Sequence, residues 1–115
     1  MKRYRRATAT LIAMFLLPVM PGMVAAGEPV TFVLEMKDGT VTPERIEIPA
    51  NTQVKIVIRN TGATPVEFES LRLRKEKVLA PGAESFVVIR KASPGEYPFF
   101  DDFHPETGQG VIVAR

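Results

Sequence analysis

The sequence predicts an all-β fold, a Greek-key β-sandwich or barrel of about eight strands. After residue 26, short apolar runs alternate with Gly, Pro, Asn and Asp turn signals at spacings of roughly 8–12 residues. No segment there keeps an apolar face at the i, i+3, i+4, i+7 spacing of a helix. The chain of 115 residues contains no cysteine, so a sheet core rather than disulfides must supply its stability.

The first half of the predicted domain reads as three strands in which apolar and polar positions alternate. A turn at Asp38-Gly39 ends the first strand, and residues 49–52 form a second turn. The third strand, with Lys55 and Arg59 facing outward, is followed by a loop over residues 60–65. The residues expected to face inward are Phe32, Leu34, Met36, Ile46, Ile48, Val54, Ile56 and Ile58.

The second half is predicted to supply the remaining strands. Residues 66–73 are expected to be extended, and residues 78–79 precede a turn at residues 80–82. Residues 86–89, Phe-Val-Val-Ile, form an apolar run that we expect to be buried on both faces. Residues 93–95 turn the chain into a strand over residues 97–100, and Val111 and Val113 close the sheet.

The alternation in the strand after Pro94-Gly95 has a consequence for one acid. Tyr97 and Phe99 are both inward by the period of two, which places Asp101 inward at the end of the sandwich. A buried carboxylate without a partner is costly, so a cation or a protein donor must meet Asp101.

The first 26 residues read as a cleaved signal peptide. Four basic residues between positions 2 and 6 precede a largely apolar stretch over residues 7–23, and small residues at 24–26 suit signal-peptidase cleavage. The apolar stretch is short and is interrupted by Pro18 and Pro21, so we expect no membrane span in the mature chain. The sequence therefore predicts one domain over residues 27–115, located in the periplasm.

Charge and composition exclude several classes of function. The predicted domain retains eleven of the fifteen basic residues and all thirteen acids, a net charge of −2. Its basic cluster over residues 72–77 is interleaved with Glu69 and Glu76 and reads as a solvated strand face, so no nucleic-acid surface is expected. Without cysteine, the chain has no thiolate metal site, thiol nucleophile, iron–sulfur cluster or covalent haem.

The last twenty residues resemble the ligand loop of the cupredoxins, the blue-copper family, whose pattern is Tyr-x-Phe-x-Cys-x-x-His-x-x-x-Gly-Met-Gly. The residues in register are Tyr97, Phe99, His104, Gly108 and Gly110. Asp101 takes the place of the cysteine and Gln109 that of the methionine. The family's first histidine place falls on or next to Glu67. The resemblance implies a cupredoxin-like fold whose soft copper ligands have been lost.

A subgroup of the family is more similar still, the small exported proteins that accompany bacterial high-affinity iron permeases. They share the segment Asn-x-x-x-x-Pro-x-Glu-Phe-Glu-Ser, which matches residues 60–70, and the stretches at residues 76–78, 94–100 and 103–104. The resemblance implies a periplasmic metal-handling protein that oxidises ferrous iron or passes electrons during uptake. Many of these relatives carry a histidine in the first turn, where this chain has Gly39.

The expected metal ligands are carboxylates and one imidazole. We expect the site to contain His104, Asp101 and Glu67, with Glu69 or Gln109 completing it, while Met36 lies on the first strand near the same end. Such donors suit iron, manganese, zinc or Cu(II) and disfavour Cu(I), so the suspected ion is iron or copper. No catalytic residue and no organic cofactor is predicted.

Structural roles compete with each of these ligand assignments. Asp101 and Asp102 can cap the loop through Asx-turns, and Gln109 can pack against the loop backbone. Glu67 and Glu69 can pair with the arginines at positions 72 and 74. Met36 can simply belong to the core.

The functional hypothesis is a periplasmic transition-metal-binding protein that supports iron uptake, by ferrous iron oxidation or by electron transfer. Its expected partner is a membrane iron permease or another periplasmic uptake component. Two alternatives remain open. One is a metal-free interaction module that docks on a membrane permease, and the other is a thiolate-free Cu(II) carrier.

Overall fold

The protein is described by a computed structural model for residues 12–14, 16 and 29–115. Most of the predicted signal peptide, residues 1–26, therefore lies outside the described residues, as do the first two residues of the predicted domain. Among the described residues all regular structure is β-strand. No helix in those ranges is long and apolar enough to cross a bilayer.

The described part of the domain contains nine strands, which confirms the all-β prediction. The unpredicted strand covers only three residues and ends at the residue before Pro43, which is too short for alternation to reveal it. The strands are β1 (Val30–Lys37), β2 (Thr40–Thr42), β3 (Arg45–Ile48), β4 (Val54–Asn60), β5 (Val66–Ser70), β6 (Lys75–Leu79), β7 (Glu84–Ile89), β8 (Gly95–Asp101) and β9 (Gln109–Ala114).

Two sheets form the sandwich. The first has the order β2-β1-β4-β7 and the second the order β3-β9-β8-β5-β6. Strand β1 runs parallel to β4 and β3 runs parallel to β9, whereas the other neighbours are antiparallel. Because β8 lies between β5 and β9, its C-terminal end brings the His104 loop next to the start of β5.

The core lies between the two sheets and follows the predicted alternation. Leu34, Met36, Ile56 and Ile58 are completely buried on β1 and β4. On β8, Tyr97, Phe99 and Asp101 all face inward, as predicted, with Asp101 only 1% exposed. Strand β9, which contains Val111 and Val113, closes the second sheet as predicted next to β8, and it contributes Ile112 and Ala114 to the core cluster.

Two predictions about individual strands were wrong. Phe86 is 49% exposed rather than buried. Strand β7 lies at the edge of the first sheet, and the second sheet covers only one of its faces, so residues on the other face reach solvent. The Phe86 ring lies under the Lys55 ammonium, with Nζ 4.4 Å from the ring centroid. The strand predicted over residues 66–73 ends at Ser70, and a turn over residues 71–74, with Arg74 at φ 54°, leads into β6.

Candidate functional site

Asp101 is the buried acid at the centre of the loop between β8 and β9. Its Oδ1 accepts hydrogen bonds from the backbone N–H groups of Glu67 and Phe103, each at 3.0 Å. Its Oδ2 lies 2.8 Å from Nδ1 of His104. Because a carboxylate can only accept, we assign a ring proton to Nδ1, and Nε2 makes no hydrogen bond within the described residues. The buried carboxylate of Asp101, which the alternation of β8 directs inward, is therefore hydrogen-bonded by donors of the protein itself.

The loop closes tightly around this pair. The Asp101 N–H donates to the Gly108 carbonyl at 2.7 Å, and the Gly108 N–H donates to the His104 carbonyl at 2.9 Å. A Cβ at Gly108 would lie 2.8 Å from that of Asp101, so only glycine permits the approach. Gly108, which is in register with the cupredoxin loop pattern, therefore allows the loop backbone to close. The closed loop fixes the position of the imidazole relative to the sheet.

Gln109 and Gly39 lie against the same loop. The Gln109 side-chain amide donates to the Pro105 carbonyl at 2.8 Å, so this side chain packs against the loop backbone. Gly39 has φ +88°, and a Cβ there would lie 3.3 Å from Cδ2 of His104. The turn position of Gly39 is therefore adjacent to the imidazole, and it offers no side chain.

The other two predicted acids lie together, apart from the loop pair, on the outer face of the second sheet. Glu67 and Glu69 alternate with the buried residues of β5, and Glu69 is directly opposite Glu76 on β6. Glu67, Glu69 and Glu76, which we call the carboxylate trio, each place an oxygen within 4.8 Å of the other two. Within residues 29–115 it is the only such group of three or more histidine or acidic side chains.

No cation of the described residues forms a salt bridge with the carboxylate trio, although Arg74 and Lys75 line a surface cavity together with Glu69 and Glu76. Desolvation raises the pKa of Glu67 above its ordinary value, and repulsion from Asp102, Glu69, Glu76 and Asp101 raises it further. In residues 29–115, the salt bridges of acids involve Glu47, Glu84 and Asp101, none of which belongs to the trio. The pairing of Glu67 and Glu69 with arginines, considered from sequence, is absent there.

Met36 is completely buried in the core cluster. This is the structural role that the sequence also allowed for it. Glu76 is the residue that sequence reasoning missed. Reading residues 66–73 as one strand hid the hairpin that folds Glu76 back against Glu69. Residues 71–74, Leu-Arg-Leu-Arg, contain no Gly, Pro, Asn or Asp turn signal, so the change of phase of the apolar positions after Ser70 is the one mark of the reversal in the sequence.

The comparisons with known proteins agree with this architecture. A family model described as a cupredoxin-like domain matches residues 7–114. An uncharacterized protein of Rickettsia prowazekii (strain Madrid E) is 35% identical over 82 residues, 71% of this chain. The aligned region spans 66% of that relative's length.

Solved structures share the fold at low identity. Dithionite-reduced auracyanin from Roseiflexus castenholzii superposes with a TM-score of 0.65 at 14% identity, covering 77% of this chain and 99% of that one. Auracyanin A, a blue copper protein from Chloroflexus aurantiacus, gives 0.64 at 16%, covering 76% and 99%. The metal-binding domain of the Cu(I)-exporting P-type ATPase of Streptococcus pneumoniae, with Cu(I), gives 0.65 at 9%, covering 74% and 84%.

The residues at the blue-copper positions do not fit a blue-copper ion. The thiolate that such a centre needs is replaced by Asp101, both of whose oxygens are already hydrogen-bonded within the protein. The amide at the methionine place bonds to the loop backbone. At this end of the molecule, Nε2 of His104 makes no hydrogen bond within the described residues, and on a side chain that is 30% exposed it remains a donor atom for a ligand.

Proposed function

Because the chain belongs to the family of cupredoxin-like domains, we propose that it binds a transition-metal ion through the carboxylate trio and supports iron uptake in the periplasm. The proposed partner is a membrane iron permease or another uptake component. The fold of the family suits metal binding or electron transfer. The choice of iron is supported by the type of donor that this chain presents.

The observation that carries the proposal is the convergence of three carboxylates within 4.8 Å on one sheet face. Directly opposed like charges destabilise a pair of strands, and here Glu69 faces Glu76 while Glu67 is added to them. A bound cation would replace this repulsion by attraction. Carboxylate oxygens are hard ligands, which suit iron and manganese and disfavour Cu(I).

The oxygen donors also bear on the oxidation state. Hard anionic ligands hold Fe(III) more tightly than Fe(II), so the trio would favour oxidation of bound ferrous iron where an electron acceptor is present. His104 is proposed as a further, separate donor through Nε2. Asp101 would act through the hydrogen bond that orients His104, since its own oxygens are already engaged.

The test is a calorimetric titration of the purified protein with Fe(II) under anaerobic conditions, and separately with Mn(II) and Cu(II). We expect saturable Fe(II) binding that weakens about tenfold or more in Glu69→Gln and in Glu76→Gln, because affinity follows the number of charged ligands. Glu35→Gln is the matched control, an exposed acid on β1 of the other sheet, and it should bind like the wild type.

Each other outcome identifies a different function. Binding of Cu(II) alone, lost in His104→Ala but retained in Glu69→Gln, would replace the proposal by a thiolate-free Cu(II) carrier. No uptake of any of the three metals would reject metal binding and leave the metal-free docking module. For that module the exposed Phe103 beside His104, 52% accessible, would be a contact residue.

A further inference from the structure

A second charged region lies at the other end of β8 from Asp101. A cleft of about 380 Å³ opens there between the turn after β5, the end of β7 and the start of β8. Its lining includes four cations, Arg72, Lys75, Arg90 and Lys91, and no acid. We call it the basic cleft. In a domain whose predicted net charge is −2, a concave surface with four positive side chains is a marked local concentration of charge.

One cation of the basic cleft is held in place. The guanidinium of Arg72 stacks on the ring of Tyr97, with Cζ 4.6 Å from the centroid, and its Nη1 donates to the Glu96 carbonyl. The Tyr97 hydroxyl in turn donates to the Ser93 carbonyl at 2.7 Å. Arg72 is therefore ordered by the protein before any ligand arrives, which reduces the entropy lost on binding.

None of the four cations forms a salt bridge within residues 29–115. The arginines that form salt bridges there are Arg45, Arg59 and Arg115, which lie on other surfaces. Four cations around one concavity repel one another, and an anion that contacts several of them would relieve the repulsion. Arginine presents a planar fork of donors that matches the oxygens of phosphate, and lysine binds the same group as a point charge.

We propose that the basic cleft binds a phosphate-class oxyanion, either free phosphate or the phosphate of a lipid headgroup. A multiply charged anion with several equivalent oxygens can contact cations on more than one wall of the cleft at once. The proposal does not depend on the metal site, because none of the three acids of the carboxylate trio lines the cleft.

The first experiment titrates the protein with inorganic phosphate at low ionic strength and follows the backbone amide signals of Ser93 and Tyr97 by NMR. The variant Arg90→Gln/Lys91→Gln removes two exposed cations that make no side-chain hydrogen bond in the described part of the chain. We expect saturable binding by the wild type and binding about tenfold weaker or more in the variant. Added salt should weaken binding as well, since the groups are exposed.

The matched control, Lys37→Gln/Arg45→Gln, changes the net charge equally on other surfaces and should bind phosphate like the wild type. Glu69→Gln should also retain phosphate binding, which separates this proposal from the metal site. Equal weakening in the control and in the cleft variant would reduce the effect to net charge and overturn the proposal. Absence of saturable phosphate binding, together with absence of vesicle binding, would overturn it too.

A second measurement distinguishes the two sources of phosphate. The protein is sedimented with vesicles of phosphatidylcholine, with and without phosphatidylglycerol. Retention that needs phosphatidylglycerol, and is lost in Arg90→Gln/Lys91→Gln, would assign the cleft to a lipid headgroup. Saturable binding of free phosphate without vesicle retention would assign it to a soluble anion. Retention that is unchanged in the variant would overturn the cleft as the cause.

Discussion

The Asp101–His104 pair and the carboxylate trio are both acidic, and they differ in what meets their charge. Asp101 is 1% exposed and receives two backbone N–H groups and the imidazole, all within 3.0 Å. The carboxylate trio lies on an accessible sheet face, where its members mainly meet one another. The Asp101 carboxylate is satisfied without a ligand, whereas the trio has oxygens available for a cation.

The loop that resembles the cupredoxin ligand loop and the side chains available to bind a metal are therefore in different regions of this molecule. The buried place that holds a thiolate in blue-copper centres still contains an anionic group, yet here that group ties the loop to β5 through the Glu67 N–H. Glu67 contributes to both regions, with its backbone bonded to Asp101 and its side chain in the trio. Changes to each region should therefore have opposite effects on the stability of the metal-free protein.

The largest effect is expected from Asp101→Ala. The change removes the acceptor of two backbone N–H groups in a nearly inaccessible site, so we expect the free energy of unfolding to fall by roughly 3 kcal/mol. Urea unfolding without metal measures it. Asp102→Ala, at the exposed neighbouring position, is the control and should stay within about 0.5 kcal/mol of the wild type. If the two variants lost the same free energy of unfolding, the hydrogen bonds of the buried Asp101 would contribute no more to stability than the exposed Asp102 does.

The sequence predicts that Asp101, unlike its neighbour Asp102, faces inward. The period of two in Tyr97-Pro98-Phe99 placed Asp101 inside and required a partner for it, which the structure supplies as protein donors. The partners themselves could not be predicted, since the Glu67 N–H comes from a strand 34 residues away. Pairing of β5 with β8 within the second sheet brings that donor to the loop, and a single sequence does not state which strands pair.

The carboxylate trio was half predicted for a related reason. Alternation correctly put Glu67 and Glu69 on one face of β5. The third member depends on where the chain reverses. Leu71 and Leu73 alternate with arginines and so resemble a continuing strand, although they fall on the face of Glu67 and Glu69 and not on that of the buried residues of β5. Leu71 is in fact 70% exposed, because the turn needs its backbone geometry rather than the burial of its side chain. The apolar residues at positions 71 and 73 indicate a strand, whereas the chain in fact turns over residues 71–74.

A smaller effect of opposite sign is expected from Glu69→Gln in the metal-free protein. Removing one charge from the directly opposed Glu69–Glu76 pair should raise the free energy of unfolding by about 0.5 kcal/mol. Glu84→Gln is the informative control, because the Glu84 carboxylate accepts from Nε of Arg59 at 2.8 Å and should lose a few tenths of a kcal/mol instead, roughly the value of an exposed ion pair. Urea unfolding at neutral pH measures both. A loss in Glu69→Gln would mean that the trio is already neutralised.

The smallest effect is a dependence of stability on pH that belongs to Glu67. Burial and neighbouring carboxylates raise the pKa of Glu67 above its ordinary value of 4.5. In the pH range just above 4.5 the folded state therefore binds more protons than the unfolded state, so stability decreases as pH rises through that range. The wild type should gain stability relative to Glu67→Gln as pH falls from 7 towards 4.5, followed by thermal unfolding across the range.

Asp38 provides the opposite case for this last measurement. Its Oδ1 accepts from the Thr64 hydroxyl and from the N–H groups of Ala63 and Thr64, and these bonds lower the pKa of Asp38 below its ordinary value. The stabilisation by Asp38 is complete above the ordinary value and is lost as pH falls through the lowered one. The stability difference between wild type and Asp38→Asn should thus shrink on acidification, at lower pH than the Glu67 effect. If the Glu67→Gln difference has the same sign of slope as that of Asp38→Asn, protein cations already neutralise the trio, and its oxygens are not available for a metal.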